Sequence, residues 1–175
     1  MNDEAHRMVQ GLLKEIFNNV NSWLTHAEAK NGAIIAFNIA CLSFLWGMEG
    51  NHGAKVLNGF SCIIILLSTI MALISFFPKT DKSIVGRGGH APEDNLIFYK
   101  DIVKYNKEDY VKAVFRQYTP INIPDADIQK LEMDLSDEIT YNAEIVIRKY
   151  KFFGYAVKID IFALALLVAL AMIMA

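Results

Sequence analysis

The chain has 175 residues, 54% of them hydrophobic, and a mean hydropathy of +0.27, which is high for a soluble domain of this size and favours a membrane protein. A formal net charge of −2 leaves no basic excess to bind nucleic acid. The two cysteines, Cys41 and Cys62, lie inside apolar runs and argue for packing as small apolar residues rather than for a disulfide framework or a metal cluster.

Residues 1–31 read as a cytoplasmic amphipathic helix. Val9, Leu12, Leu13, Ile16, Phe17, Val20, Trp23, Leu24 and Ala27 recur at spacings of three and four, which puts them on one stripe. The opposite face mixes acids and bases, so the stripe is expected to pack on another cytoplasmic helix rather than lie on the membrane surface. Charged residues such as Asp3, Glu4, Arg7, Lys14 and Glu15 do not fit a cleavable signal peptide, so the following apolar segment is expected to be retained. The stretch "SWLTHAEAKNGAIIAFNIA", 22–40, has no proline and one glycine, Gly32, and reads as a helix that runs without a break into the membrane. Transmembrane helix 1 is expected over 32–48, and transmembrane helix 2 over 54–77, where Pro78 supplies a stop.

Residues 78–151 form the expected cytoplasmic helical region. "KTDKSIVGRGGHAPED" is a loop by its Gly, Pro and Asp content, and "NLIFYKDIVKY" is either a short strand or the opening of a helix. A helix follows over 109–118, and "TPINIP" breaks it. From Asp125 an acidic turn is expected to start a last helix with Ile128, Leu131, Leu135, Ile139, Ala143, Val146 and Tyr150 on one stripe. Only Gly154 interrupts the path into transmembrane helix 3, 152–175. Unbroken, 125–175 is a helix of about 75 Å at ~1.5 Å per residue, with the N-terminal helix as its partner. The fold class is therefore an all-α membrane protein, three transmembrane helices with a mainly helical cytoplasmic stalk.

Of the 17 Lys and Arg residues, 12 lie between the second and third spans and three precede the first. The positive-inside rule then places the N-terminus and 78–151 in the cytoplasm and the C-terminus outside. The apolar blocks of the first and third spans are shorter than a bilayer core of ~30 Å, a mismatch relieved by thinning the bilayer or by oligomerising.

The polar residues at and within the spans carry the remaining signal. Glu28 can meet Arg148 or Lys149 across two helices at the cytoplasmic mouth, with Lys30, Asn31 and Asn142 nearby; ordinary anchoring and snorkelling is the alternative. Lys158 can snorkel, whereas Asp160 needs a partner or water. With Asn38 and Asn58 it either serves a subunit interface or water-filled path, or pairs locally near the lipid interface. "GRGGHAPED" offers backbone amides to an anion with Arg87 and His90 beside them, although it lacks a Walker pattern and also reads as a flexible linker. Tyr99, Tyr105 and Tyr118 can stack on a base or fill a core. His6, His26, His52 and His90 form no metal spacing, and no catalytic motif is present.

"WLTHAEAKNGAIIAFN", "NLIFYKDI", "KEDYVKAVF" and "LSDEITYNAEIVIRKYKFF", in that order over nearly the whole chain, resemble the transmembrane effector family of Pycsar, a bacterial antiphage system. The resemblance implies a membrane effector rather than an enzyme, with no cofactor. The protein is then expected to respond to cyclic CMP or cyclic UMP made by a partner uridylate or cytidylate cyclase and to impair the bacterial inner membrane; the mismatch of its short spans adds the expectation of a homo-oligomer. The resemblance also places Glu28, Lys30 and Asn31 in the family's "EAKN" pattern, and Asn142, Arg148 and Lys149 at the matching positions before the third span. Arg148 and Lys149 would suit the ligand's single phosphate charge, and Arg87, His90 and Tyr99 complete the expected ligand set. No separate β-rich nucleotide-binding domain is evident, so the ligand would be held by 78–151 and the N-terminal helix.

Overall fold

The computed structural model describes residues 2–47, 52–78, 88–120 and 122–174. Five α-helices and one 3-10 turn account for the regular structure, and no strand occurs among the described residues: α1 Asn2–Trp46, α2 His52–Ile74, α3 Tyr99–Ile102, α4 Lys107–Tyr118, the 3-10 turn Asp125–Asp127, and α5 Lys130–Met174. The expected all-α membrane architecture is borne out, since α1, α2 and α5 are each long and apolar enough to cross a bilayer. "NLIFYKDIVKY", open between strand and helix, becomes turns followed by the short α3.

The chain divides into two compact units, Met1–Thr25 with Lys79–Ile147, and His26–Pro78 with Arg148–Ala175. The first is an ordinary helical core. Val9, Leu13, Ile16 and Val20 of α1 are almost completely buried, as are Tyr110, Val111, Val114 and Phe115 of α4 and Ile139, Ala143 and Val146 of α5. Gln10 and Asn21 of α1 exchange side-chain hydrogen bonds with Gln129 and Asn142, so the stripe of α1 packs on another helix, as its mixed-charge outer face predicts. Asn106 caps α4 by accepting from the Asp109 amide at 2.7 Å.

The start of α5 departs from expectation. Pro124 leads into a 3-10 turn over Asp125–Asp127, and α5 begins only at Lys130. Glu132 sets the boundary: its carboxylate reaches back to accept from the Gln129 amide at 2.9 Å, half of a capping box. That task turns Glu132 inward, fully buried, and rolls Leu131 out to 44% exposure, so Leu131 does not belong to the buried stripe.

The second unit inverts the usual pattern. Phe37, Phe44, Phe60, Leu66, Leu73 and Phe162 point outward, whereas Asn31, Asn38, Ser61, Ser68, Lys149 and Asp160 are buried. Such an apolar surface is what hydrocarbon requires, and the polar groups turn to one another. One set of buried positions repeats every seven residues: Ala54, Ser61 and Ser68 on α2, with Ser75 just past its end; Asn31, Asn38 and Leu45 on α1; Lys149, Ala156, Ala163 and Leu170 on α5. This is the period of left-handed helical bundles, and the small residues let backbones approach closely. Gly154 does not break α5.

Candidate functional site

Two polar layers cross the interior of the membrane unit. The lower one is built around Lys149, which is 7% exposed. Its Nζ donates to the Ser75 carbonyl oxygen at 3.0 Å and pairs with the Glu28 carboxylate at 3.1 Å. Ser75 follows the last residue of α2, where carbonyl oxygens lack partners within the helix, so a cation supplied by α5 caps α2 electrostatically and by hydrogen bonding. Asn31 ties α1 to the same level by donating from Nδ2 to the carbonyl oxygens of Ala27, at 2.9 Å, and Lys149, at 3.3 Å. Lys30 lies over the rings of Tyr150 and Phe153, and Arg148 over Phe152, the aromatic contacts of cations at a membrane interface.

About 16 Å further along α5, at ~1.5 Å per residue, lies the second layer. Asn38 donates to Ser68 Oγ at 3.2 Å, Ser68 donates to the Ala156 carbonyl oxygen at 3.1 Å, and the Asp160 carboxylate faces both side chains. Apolar clusters flank it, Ile34, Ala72 and Ala156 on one side and Leu45, Ile64, Ile65 and Ala163 on the other.

The other unit holds two polar centres of its own. Asp94 accepts from the Ala91 amide at 2.7 Å, from Tyr105 Oη at 3.1 Å and from Lys104 Nζ at 2.6 Å, while Lys104 also pairs with Asp101. The Lys104 hydrogen bond is the main influence holding the Asp94 carboxyl below the usual carboxylate range, and burial with the Asp94 charge pushes Tyr105 up to about 12. Because the native state depresses the Asp94 pKa, this tie stabilises the fold above the unfolded value of about 3.9 and is lost as pH falls through the folded value. Asp94→Asn should therefore lower thermal stability at pH 7, with the gap to the parent closing as melts are taken below about pH 4.

The second centre is at the start of α5. His6 donates from Nδ1 to Glu132 at 2.7 Å, Gln10 donates to the same oxygen at 3.2 Å, and the Gln129 amide serves the other oxygen, which satisfies a fully buried carboxylate. Beside it a cleft of about 210 Å³ is lined by His6, Phe115, Asn122, Pro124 and Asp127.

Residues 12–175 match the family model of the Pycsar effector protein domain. This chain belongs to the Pycsar effector family. The Pycsar effector protein PtPycTM of Propioniciclava tarda is a relative, 26% identical over 160 residues that cover 87% of this chain and 73% of that protein. No solved structure matches. Membership carries the coarse assignment, an effector of antiphage defence associated with a membrane and working with a cyclase.

In this Pycsar effector the residues singled out from sequence fall in separate places. Glu28, Lys30, Asn31, Arg148 and Lys149 lie at one level of the membrane unit, where Glu28 chooses Lys149 and not Arg148. Asn142 belongs instead to the other unit and meets Asn21 at 3.0 Å. Asp160 joins Asn38, whereas Asn58 donates to the Leu45 carbonyl oxygen at 2.9 Å near the α1–α2 hairpin. Lys158 is exposed. His90 stacks on Tyr105 with ring centroids 4.8 Å apart, and Tyr99 is buried beside Trp23. Arg87 lies outside the described residues. Gly88 and Gly89 have φ of 69° and 78°, a backbone conformation suited to glycine, but the Ala91 amide beyond them is already taken by Asp94. Sequence reading assigned no role to Ser68 or Ser75; the seven-residue spacing of Ala54, Ser61, Ser68 and Ser75 is the signal that would have found them.

Proposed function

We propose that this Pycsar effector responds to a cyclic pyrimidine mononucleotide, cyclic CMP or cyclic UMP, made by its partner cyclase. In response it rearranges or oligomerises in the inner membrane, membrane integrity fails, and the infected cell stops growing or dies. The observation that carries this reading is the continuity of α1 and α5, each one uninterrupted helix with residues in both units. A ligand that alters packing around 2–25 or 130–147 acts on the same helices that hold Asn31, Asn38, Lys149 and Asp160. The Lys and Arg distribution puts the first unit, with 88–147, on the cytoplasmic side where a cyclase product accumulates.

Within that unit the exposed His90 ring on Tyr105 offers a stacking surface to a base, and the cleft beside His6 has room for a base but lies below the ~300 Å³ at which pockets for larger ligands begin. Lys149 already serves Glu28 and Ser75 and is therefore a poor partner for the phosphate. The effector acts by moving its own helices, and no residue is assigned to catalysis.

Two measurements test this reading. Calorimetric titration of the purified chain in detergent should give binding of cyclic CMP or cyclic UMP and none of cyclic AMP, and the bound nucleotide should release dye from vesicles containing the protein. Binding of neither pyrimidine nucleotide by a folded sample, or intact vesicles after binding, would overturn it. A nucleotide-independent ion channel is the second reading, favoured by the buried polar layer of Asn38, Ser68 and Asp160; constitutive ion flux without nucleotide would select it.

A further inference from the structure

The layer of Asn38, Ser68 and Asp160 has too many acceptors for its donors. Asn38 and Ser68 are completely buried and Asp160 is 7% exposed. The donors are the two N–H groups of the Asn38 amide and the single Ser68 hydroxyl, and the hydroxyl already serves the Ala156 carbonyl oxygen. Against them stand both carboxylate oxygens, the amide oxygen, the hydroxyl oxygen and that carbonyl. Two of these acceptors, Asn38 Oδ1 and Asp160 Oδ1, have no hydrogen-bond partner among the described residues.

An ionised Asp160 would stand in this layer without a nearby cation among the described residues. Lys158, two residues from Asp160, lies on a different face of α5 and is exposed. Lys149, about 16 Å away along the helix, is committed to Ser75 and Glu28. The Cys41 thiol is a further neighbour of Asp160 and brings no positive charge.

We infer that this layer binds a monovalent hard cation of the size of Na⁺. Carboxylate, amide, hydroxyl and backbone carbonyl oxygens are the donor types such ions take. A single charge neutralises Asp160, whereas a divalent ion would leave an excess positive charge between two apolar clusters. Ligands come from α1, α2 and α5 together, so the ion acts as a pin through the three helices.

The test uses the whole chain purified in detergent. Saturable binding of ²²Na⁺ to the unmodified protein, displaced by unlabelled NaCl, is the primary expected result. Replacing N-methyl-D-glucamine chloride by NaCl at constant ionic strength should raise the melting temperature and then saturate, as binding to the native state alone requires. Asp160→Asn should abolish both effects, and Ser68→Ala should weaken the ion on the order of tenfold. Tyr110→Phe, in the other unit, should leave both unchanged. Absence of saturable ²²Na⁺ binding by the unmodified protein overturns the inference whatever the variants do, and so does a folded Asp160→Asn protein that still binds. A melting temperature that follows pH but not Na⁺ identifies the layer as a proton site and equally overturns it.

Discussion

Phe115→Ala should lower the stability of the unit containing α4 by about 3–5 kcal/mol, the cost of removing a buried aromatic ring and leaving its space unfilled. Phe115 is 1% exposed, meets the ring of His6 edge-on at a centroid distance of 5.4 Å, and forms a wall of the cleft beside it. The loss should appear in hydrogen–deuterium exchange as faster exchange across 2–25 and 107–147. The amides of α2 should keep their protection, because α2 has no residue in that unit. Equal loosening of α2 would show that the two units unfold as one.

Lys149→Met should cost about 1.5–3 kcal/mol, the range for a hydrogen bond to a charged group, even though methionine nearly preserves the volume. The substitution leaves the Ser75 carbonyl oxygen at the end of α2 without the cation that caps it. Glu28→Gln should cost less than about 1 kcal/mol, since the Glu28 side chain is 46% exposed and water replaces its partner. The asymmetry distinguishes a lysine that caps a helix from one half of a salt bridge, and comparing the two variants in thermal melts measures it. Equal losses would return the role to the ion pair.

Much of this was legible in the sequence because helices are written locally. The unbroken stretch 22–40 has one glycine and no proline, and α1 passes through it. Apolar runs marked the spans, and the mixed-charge face of residues 1–31 marked a helix that packs on another helix. The start of α5 was not legible in the same way. Asp125 and Asp127 are good first-turn residues, but the fold uses Glu132 as the reciprocal cap and spends the aspartates on a 3-10 turn. Partner choice was harder still. Whether Glu28 meets Arg148 or Lys149, and which of Asn38 on α1 and Asn58 on α2 joins Asp160, depends on how α1, α2 and α5 are shifted along and turned about their axes, which no single helix encodes. The seven-residue repeats on α1, α2 and α5 contain that register only when read together.

The inward-facing polar layer also bears on how the protein is made. A helix centre carrying aspartate pays about 2.5–3.5 kcal/mol on entering the bilayer alone, and the lysine two residues earlier adds to that unless it reaches the headgroups. α5 follows α1 and α2 in the chain, so Asn38 and Ser68 precede Asp160 in synthesis. Docking of α5 on α1 and α2 gives Asp160 the polar neighbours that lipid does not offer, which offsets part of that cost.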